Sequence, residues 1–433
     1  MSEPLDLLLH DCALPDGTRA DIGCRDGRII VMGPAGAGGP PGHARAARVI
    51  DVGGRLVTAG LVDAHIHLDK ALLSSRGPSL EGSPAEGSLA EAIRVTGAAK
   101  RGFTVDDIRA RARAVLDLAV RSGTTAMRSH VEVDPIVGLK GLEALRPLRE
   151  EYAPALELQL CAFAQEGILH APGTEALLAQ ALREGADLVG GCPYNDTDPR
   201  AHVDTIFRLA REFGVDADFH ADFFDEPEHL HVRYICEQTV RLGWEGRVAV
   251  GHLTELAALA PAEQDVVIAE LRAARVGVIV LPATDLYLMG RRDERNPRRG
   301  LAPVKRLLAA GVPVAGATNN VRNAFTPVGN ADLALMGVLI VVGAHMGARA
   351  ELGQALAMVT TEPARILRLE GHGLALGNRA DLVVWDAVGV DEAVGALAPR
   401  VYVIKSGRVT VEHRPTVAEP WRGLDRPAPR SLS

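Results

Sequence analysis

The sequence predicts an α/β protein: a (β/α)8 TIM barrel with a small β-sandwich built from both ends of the chain. Between residues 56 and 318, eight short apolar runs alternate with segments of helical periodicity. Continuous apolar runs are typical of parallel strands buried on both faces. Eight such repeats within about 260 residues match the usual size of a barrel. Short strands separated by glycine turns flank this region, which predicts the sandwich.

The expected domains are a sandwich made of residues 1–58 and 366–433 and a barrel made of residues 59–365. In the N-terminal part, Asp26-Gly27 separates two apolar runs and predicts a hairpin. The Gly/Pro/Ala-rich stretch 33–47 is expected to be a loop.

Within the barrel, the first helix should begin after Thr104, whose side chain can cap it, and end at Gly123. Residues 72–101 are rich in Gly, Ser and Pro and predict a long loop, either a substrate lid or a disordered tether. The predicted strands are the run from residue 56 and residues 124–130, 157–163, 187–192, 215–220, 247–252, 276–282 and 312–318. The predicted helices are residues 103–123, 142–151, 174–184, 201–213, 228–242, 261–274, 302–310, 331–347 and 350–369.

Composition excludes several classes of protein. The net charge is −8 and no basic stripe is visible, which argues against a nucleic-acid partner. The densest basic run, 291–299, contains acids and a proline and predicts a charged loop. No run of 18 or more apolar residues occurs, so we expect no membrane span. The acidic N-terminus lacks the basic region of a signal peptide. The five cysteines show no Cys-x-x-Cys spacing, which predicts reduced thiols in a cytoplasmic protein.

The segment LVDAHIHLDKAL, residues 61–72, carries the first chemical signal. Alternate residues of a strand point to the same face, so His65 and His67 can face one point in space. Imidazole is the commonest side-chain metal ligand. By itself the pair could equally be two exposed polar residues at a strand end.

Polar residues at the other predicted strand ends decide between these alternatives. Histidines 130, 220 and 252 end three further strands, while Gln165 and Asn319 follow two others. The carboxyl ends of the strands form the active face of such a barrel. Histidines gathered at this face predict a metal site rather than structural packing.

The chain resembles the amidohydrolase superfamily, and within it the cytosine deaminase-like group. The resemblance rests on GRLVTAGLVDAHIHLDK, RSHVEVDP, CAFAQEGIL, GRRDERNPRRG and GNRADLVVWD and extends over nearly the whole chain. It implies a single divalent metal ion, Zn²⁺ or Fe²⁺, held by His65, His67 and His220. No lysine stands at the strand-4 end, where binuclear relatives place a bridging one.

The resemblance also implies roles around the metal. Gln165 would contact the ring amide of the substrate, and His252 would polarise water or shuttle its proton. Asn320 would read the hydrogen-bonding edge of the ring. His130 is expected to line the substrate pocket.

Two positions depart from the family pattern. Asn319 stands where the family has an aspartate that binds metal and takes a proton, and an amide cannot accept that proton as a carboxylate does. Phe223 stands where the deaminases carry a glutamate. General acid–base groups contribute about 10²–10⁴-fold each, so replacements are needed. Nearby candidates are Asp222, Asp225, Glu226 and His252.

The expected reaction is attack of metal-activated water on an sp² carbon of a small nitrogen heterocycle, which hydrolyses a C–N bond. Phe223 makes the pocket more apolar than a cytosine site, which favours a substituted triazine, pyrimidine or imidazole. A different reaction on the same scaffold and a non-catalytic ligand-binding protein remain as alternatives. The apolar helix at 331–347 could form a homo-oligomer contact or pack in the core.

Overall fold

The computed structural model of the protein describes residues 3–35, 46–76 and 87–413 and contains one eight-stranded sheet and two four-stranded sheets. Parts of the predicted loops 33–47 and 72–101 lie outside the described residues. Numbered along the chain, the strands are β1 (Leu5–Ala13), β2 (Arg19–Arg25), β3 (Arg28–Pro34), β4 (Ala46–Asp51), β5 (Val57–Ala59), β6 (Leu61–Ile66), β7 (Thr124–Glu132), β8 (Glu157–Ala164), β9 (Leu188–Gly191), β10 (Asp216–Ala221), β11 (Val248–His252), β12 (Gly277–Val280), β13 (Val314–Gly316), β14 (Leu382–Trp385), β15 (Arg400–Lys405) and β16 (Arg408–Glu412).

The helices surround the large sheet and follow its strands in turn. They are α1 (Leu89–Lys100), α2 (Val105–Arg121), α3 (Lys140–Tyr152), α4 (Thr174–Arg183), α5 (Pro199–Phe213), α6 (His231–Leu242), α7 (Pro261–Ala273), α8 (Pro282–Leu288), α9 (Val304–Ala309), α10 (Leu333–Gly343), α11 (Arg349–Ala357), α12 (Thr361–Ile366) and α13 (Val390–Gly395).

The eight-stranded sheet is the predicted barrel. Strands β6 to β13 pair with their sequence neighbours in parallel order. The ring closes where Asn319, just after β13, pairs with the end of β6. The amide of Asn319 donates to the carbonyl of His65 at 2.7 Å, and the amide of His67 donates to the carbonyl of Asn319 at 2.9 Å. The fold-class prediction is therefore confirmed, and three predicted site residues lie at the closing seam.

The two small sheets pack on each other as a sandwich. One has the order β3-β2-β1-β4, and the other joins the C-terminal strands to β5 in the order β16-β15-β14-β5. Side chains from both sheets share one core, including Leu9, Ile22, Val384 and Ile404, all without solvent exposure. The predicted hairpin is confirmed, because β2 pairs antiparallel with β3 and Asp26-Gly27 adopts φ values of 50° and 76°.

Three helical features differ from the sequence prediction. Helix α1 occupies the end of the segment predicted as a loop, with Ser88 capping it by accepting the amide of Glu91. Helix α8 follows β12 directly and, apart from its first residue, occupies a stretch, between the predicted strand 276–282 and the predicted helix 302–310, for which no element was predicted. The predicted helix 350–369 is two helices, because Thr360 leaves helical geometry (φ −128°, ψ −79°) and Pro363, which lacks an amide N–H, fits only a first helical turn.

Three expectations from composition concern the cysteines, the basic run and membrane spans. All five cysteines are free and buried, as predicted for reduced thiols. The basic run is a charged loop in which Arg298 pairs with Asp293 and Glu226. Across the described ranges, no helix combines the length and the apolar character needed to cross a membrane.

Candidate metal and catalytic site

Three histidines converge at the carboxyl ends of the barrel strands. His65 lies near the end of β6, His67 follows it, and His220 lies near the end of β10. One nitrogen from each ring falls within 4.8 Å of the others, and the Nε2 atoms of His65 and His220 are only 2.7 Å apart. Such close approach requires either a proton between the two nitrogens or a cation shared by their lone pairs.

These rings are held in the form that binds metal. Burial, followed by the repulsion that neighbouring histidines would exert if charged and, for His67 and His220, by Lys70, lowers the pKa of these three imidazoles well below the usual value. The imidazoles are therefore neutral at physiological pH, as metal ligands must be. The three rings are almost fully buried, with at most 3% exposure.

Asn319 completes the set of candidate donors. Its backbone adopts φ 60°, a left-handed conformation that asparagine tolerates. Its pairing with β6 places it between His65 and His67 in the seam. The Oδ1 atom is buried and has no hydrogen-bond partner among the described residues. An unpartnered buried carbonyl on a residue that bonds through its backbone to His65 and His67 fits a divalent ion, since such an oxygen is costly to bury unless something binds it.

A histidine–aspartate pair lies beside this cluster. Nδ1 of His252 is 2.7 Å from Oδ1 of Asp285, and both residues are buried. The ring of His252 lies 5.1 Å from that of His220, edge to face. Asp285 therefore fixes the imidazole with Nδ1–H toward the carboxylate and leaves Nε2 as a proton acceptor. Asp285 was not predicted, because it lies on α8.

The predicted substrate residues Gln165 and Asn320 are both buried near the strand ends. Oε1 of Gln165 is 3.4 Å from Nζ of Lys70, and its amide nitrogen is 3.6 Å from the sulfur of Cys192. Oδ1 of Asn320 accepts a bond of 2.7 Å from the side chain of Asn323. Lys70 was not predicted as a site residue, although it stands in the same motif as the first two histidines.

His130 packs against the three histidines. Its ring stacks on His65 at 3.7 Å between centroids, and its Nε2 lies 3.3 Å from Oδ1 of Asp218. Asp218 also accepts a 2.9 Å bond from Arg128. These contacts of His130 thus orient the His65 ring. Together, His65, His130 and Asp218 form a second group of possible metal ligands. Contact of His130 with substrate stays a prediction.

Comparison with known proteins gives this geometry a family. A family model described as "Amidohydrolase family" matches residues 48–411. The chain belongs to the amidohydrolase family. This agrees with the resemblance predicted from the strand-end motifs.

Individual amidohydrolases similar to the chain act on C–N bonds according to their names. N-isopropylammelide isopropyl amidohydrolase of Pseudomonas sp. (strain ADP) is 29% identical, with 96% of this chain and 100% of that protein covered. Pterin deaminase of Rhizobium rhizogenes is 30% identical over 93% of this chain and 90% of that protein. A structure of 5-methylcytosine deaminase from Klebsiella pneumoniae liganded with 5-fluorocytosine has a TM-score of 0.88 at 28% identity, covering 94% and 98% of the two chains.

These relatives confirm the predicted class, a metal-dependent hydrolase of carbon–nitrogen bonds other than peptide bonds. They favour it over the alternative of a non-catalytic binding protein. The two departures from the family pattern therefore have to be understood within a working enzyme.

Asp222, a predicted catalytic residue, is engaged by the backbone in this amidohydrolase. Its carboxylate accepts the amides of His231 at 2.7 Å and Val232 at 3.0 Å, and so caps helix α6. Burial and the charge of Glu255 raise its pKa to about 7. A catalytic role for Asp222 stays a prediction, and it would compete with this structural one.

The two other acids considered as replacements are engaged in the loop after β10. Oδ1 of Asp225 accepts the amide of Gly290 at 2.8 Å. Glu226 pairs with Arg298 at 2.8 Å and is largely exposed. Among the four candidate acid–base residues predicted from the sequence, His252 is the one whose ring contacts a candidate metal ligand, His220.

An apolar group that we call the roof cluster contacts the site through Phe223 and Phe325. It joins α1, α8 and the loops after β10 and β13, and it consists of Ala92, Val95, Phe223, Leu288, Met289, Ala324 and Phe325. Phe223 stacks on His252 at 3.7 Å between centroids, with planes 20° apart. The ring of Phe325 lies 4.5 Å from Nζ of Lys70. Phe223, which was predicted to make the pocket more apolar, thus belongs to a larger apolar cluster that the sequence did not indicate.

Proposed function

We propose that this amidohydrolase hydrolyses a C–N bond of a small, substituted nitrogen heterocycle, with one divalent metal ion at His65, His67 and His220 and the Asn319 side-chain oxygen as a further ligand. The observation that carries the proposal is the convergence of three buried imidazoles, and the buried, unpartnered oxygen of Asn319 supports it. Imidazole suits both Zn²⁺ and Fe²⁺.

The residues around the metal supply the acid–base groups that are missing because Asn319 and Phe223 replace an aspartate and a glutamate of the family pattern. When bound, the metal lowers the pKa of water and polarises the carbon under attack. His252 takes the water proton on Nε2, because Asp285 holds the opposite nitrogen and stabilises the resulting cation. The same Nε2 can then deliver the proton to the departing nitrogen. This route needs no carboxylate at position 319.

The pocket walls support a substituted ring rather than cytosine itself. Lys70 and Gln165 provide a donor edge suited to a ring carbonyl or oxyanion. The roof cluster provides an apolar surface suited to an alkyl group on the ring or on the departing amine. Triazines, pyrimidines, pterins and imidazolones combine such a polar edge with positions for apolar substituents.

The first test measures metal content and turnover together. The wild-type protein is expected to hold about one equivalent of Zn²⁺ or Fe²⁺, and the His65→Ala variant is expected to lose it. His372→Ala is a matched control, because His372 lies near β14, in the sandwich part of the chain. Loaded protein is then assayed for amine or ammonia release from N-isopropylammelide, pterin and 5-methylcytosine. No metal in either protein after reloading would overturn the proposal.

Further features predicted from the sequence stay proposals. These are the domain limits at residues 58 and 366, a cytoplasmic location, the absence of a nucleic-acid partner and assembly into a homo-oligomer. In favour of assembly, Val342 on α10 is 63% exposed. Leu333, Ala334, Met336 and Ile340 of that helix are buried, which supports the alternative of packing in the core.

A further inference from the structure

A buried ionic network lies beside the three histidines and, apart from Lys70, has no part in the chemistry described so far. Lys100, at the end of α1, pairs with three carboxylates: Glu132, Asp134 at 3.0 Å and Glu166 at 2.6 Å. Glu132 also pairs with Lys70 at 2.6 Å. Both lysines are 1% exposed. Glu132 therefore bridges two ammonium groups, that of Lys100 on α1 and that of Lys70 next to Gln165.

The Lys70 ammonium has capacity left for a ligand. An ammonium group has three hydrogens to donate. One is directed to Glu132, and the contact with Gln165 is long at 3.4 Å. The face of the Phe325 ring lies 4.5 Å away. The direction of the remaining donor depends on how firmly Glu132 is held.

We propose that Lys100 is a positioning residue: it fixes Glu132, and through Glu132 it aims the Lys70 ammonium at the polar edge of the substrate. The inference rests on the proposed function, because it assumes that substrate binds beside Gln165. It also links the roof to the pocket, since Lys100 belongs to α1 and that helix contributes Ala92 and Val95 to the roof cluster.

Stability alone is a poor explanation for this network. Removing charges from water costs more than a buried ion pair usually regains, so buried pairs are weak evidence for stability. The three carboxylates could be mistaken for a second metal site, because their oxygens cluster. The Lys100 ammonium already contacts all three and supplies the positive charge.

A double-mutant cycle on the metal-loaded enzyme tests the inference. Lys70→Met is expected to raise KM about 10-fold or more, because it removes a charged donor to the substrate. Lys100→Met is expected to raise KM about 10-fold while kcat changes less than about twofold. In the Lys70→Met background, Lys100→Met should raise KM by less than about a further twofold, since both substitutions act through the same ammonium group. Equal effects of Lys100→Met in both backgrounds would overturn the inference.

A matched control separates positioning from general damage. Lys405 is a buried lysine at 5% exposure that pairs with Asp381 at 2.7 Å on the sandwich side. Lys405→Met should leave KM unchanged. Lys100→Arg, which keeps the positive charge, should have a KM close to that of the wild type. Where Lys100→Met does not fold, Glu132→Gln replaces it, because that change keeps the side-chain shape.

A structural arm decides the inference without turnover. In a crystal structure of Lys100→Met, the Lys70 ammonium is expected to leave its place beside Gln165, whereas in Lys405→Met it stays. An unmoved Lys70 in the first variant would overturn the inference whatever the activity. Absence of turnover in loaded wild-type protein would instead count against the proposed function.

Discussion

At the scale of single residues, Asn319 separates two tasks, metal binding and proton uptake, that one aspartate performs in the family pattern that the chain resembles. Its amide oxygen can ligate a cation, but it cannot take up a proton. The proton acceptor must then be another group within reach of the metal, and His252 is in ring contact with His220. The Asp285 contact makes His252 a credible base, because a fixed tautomer presents Nε2 in one direction.

The Asp285→Asn variant tests this division of tasks. The amide can hold His252 in the wrong tautomer and cannot stabilise its cation, so kcat should fall by about 10²-fold or more. KM and metal content should change little, since Asp285 contacts neither substrate nor metal in the proposed mechanism. Steady-state kinetics on loaded enzyme, with metal analysis of the same sample, provide the measurement. An unchanged kcat would mean that His252 is not the base.

At the scale of elements, a helix cap predicted from the sequence is present in the structure. The Thr104 side chain accepts the amide of Asp107 at 3.2 Å at the start of α2. Thr104→Ala should lower the free energy of unfolding by about 1 kcal/mol, because an amide at the helix start loses its partner. Urea denaturation measures the loss, and Thr104→Ser, which keeps the hydroxyl, should retain most of the stability. Equal stability of Thr104→Ala and wild type would show that the cap is dispensable.

The elements also show why part of the site could be predicted and part could not. Strand ends are marked in the sequence by apolar runs that stop at polar residues, so the sequence could indicate His65, His220, His252 and Asn319 as candidates. Lys100 and the roof residue Val95 lie on α1, whose Gly- and Ser-rich approach suggests a loop. Asp285 lies on α8, a helix of seven residues that directly follows a strand. Such contacts arise from tertiary packing, which local periodicity does not encode.

At the scale of the whole molecule, the protein keeps several histidines neutral inside the fold. Burial lowers the pKa of the three candidate metal ligands well below the usual value. Burial also lowers the pKa of His372, near β14, to about 4. These groups lie in both parts of the molecule, so acid should act on the barrel and on the sandwich together.

The metal-stripped protein should therefore lose stability as the pH falls from about 6.5 to about 4. In that window the unfolded chain binds protons on these histidines and the folded chain does not, so the free energy of unfolding falls with acid. Each such histidine contributes about 1.4 kcal/mol per pH unit. Urea midpoints at several pH values measure the slope. His372→Gln should reduce this slope by the contribution of about one proton. A flat profile would show that the buried rings can be protonated without unfolding.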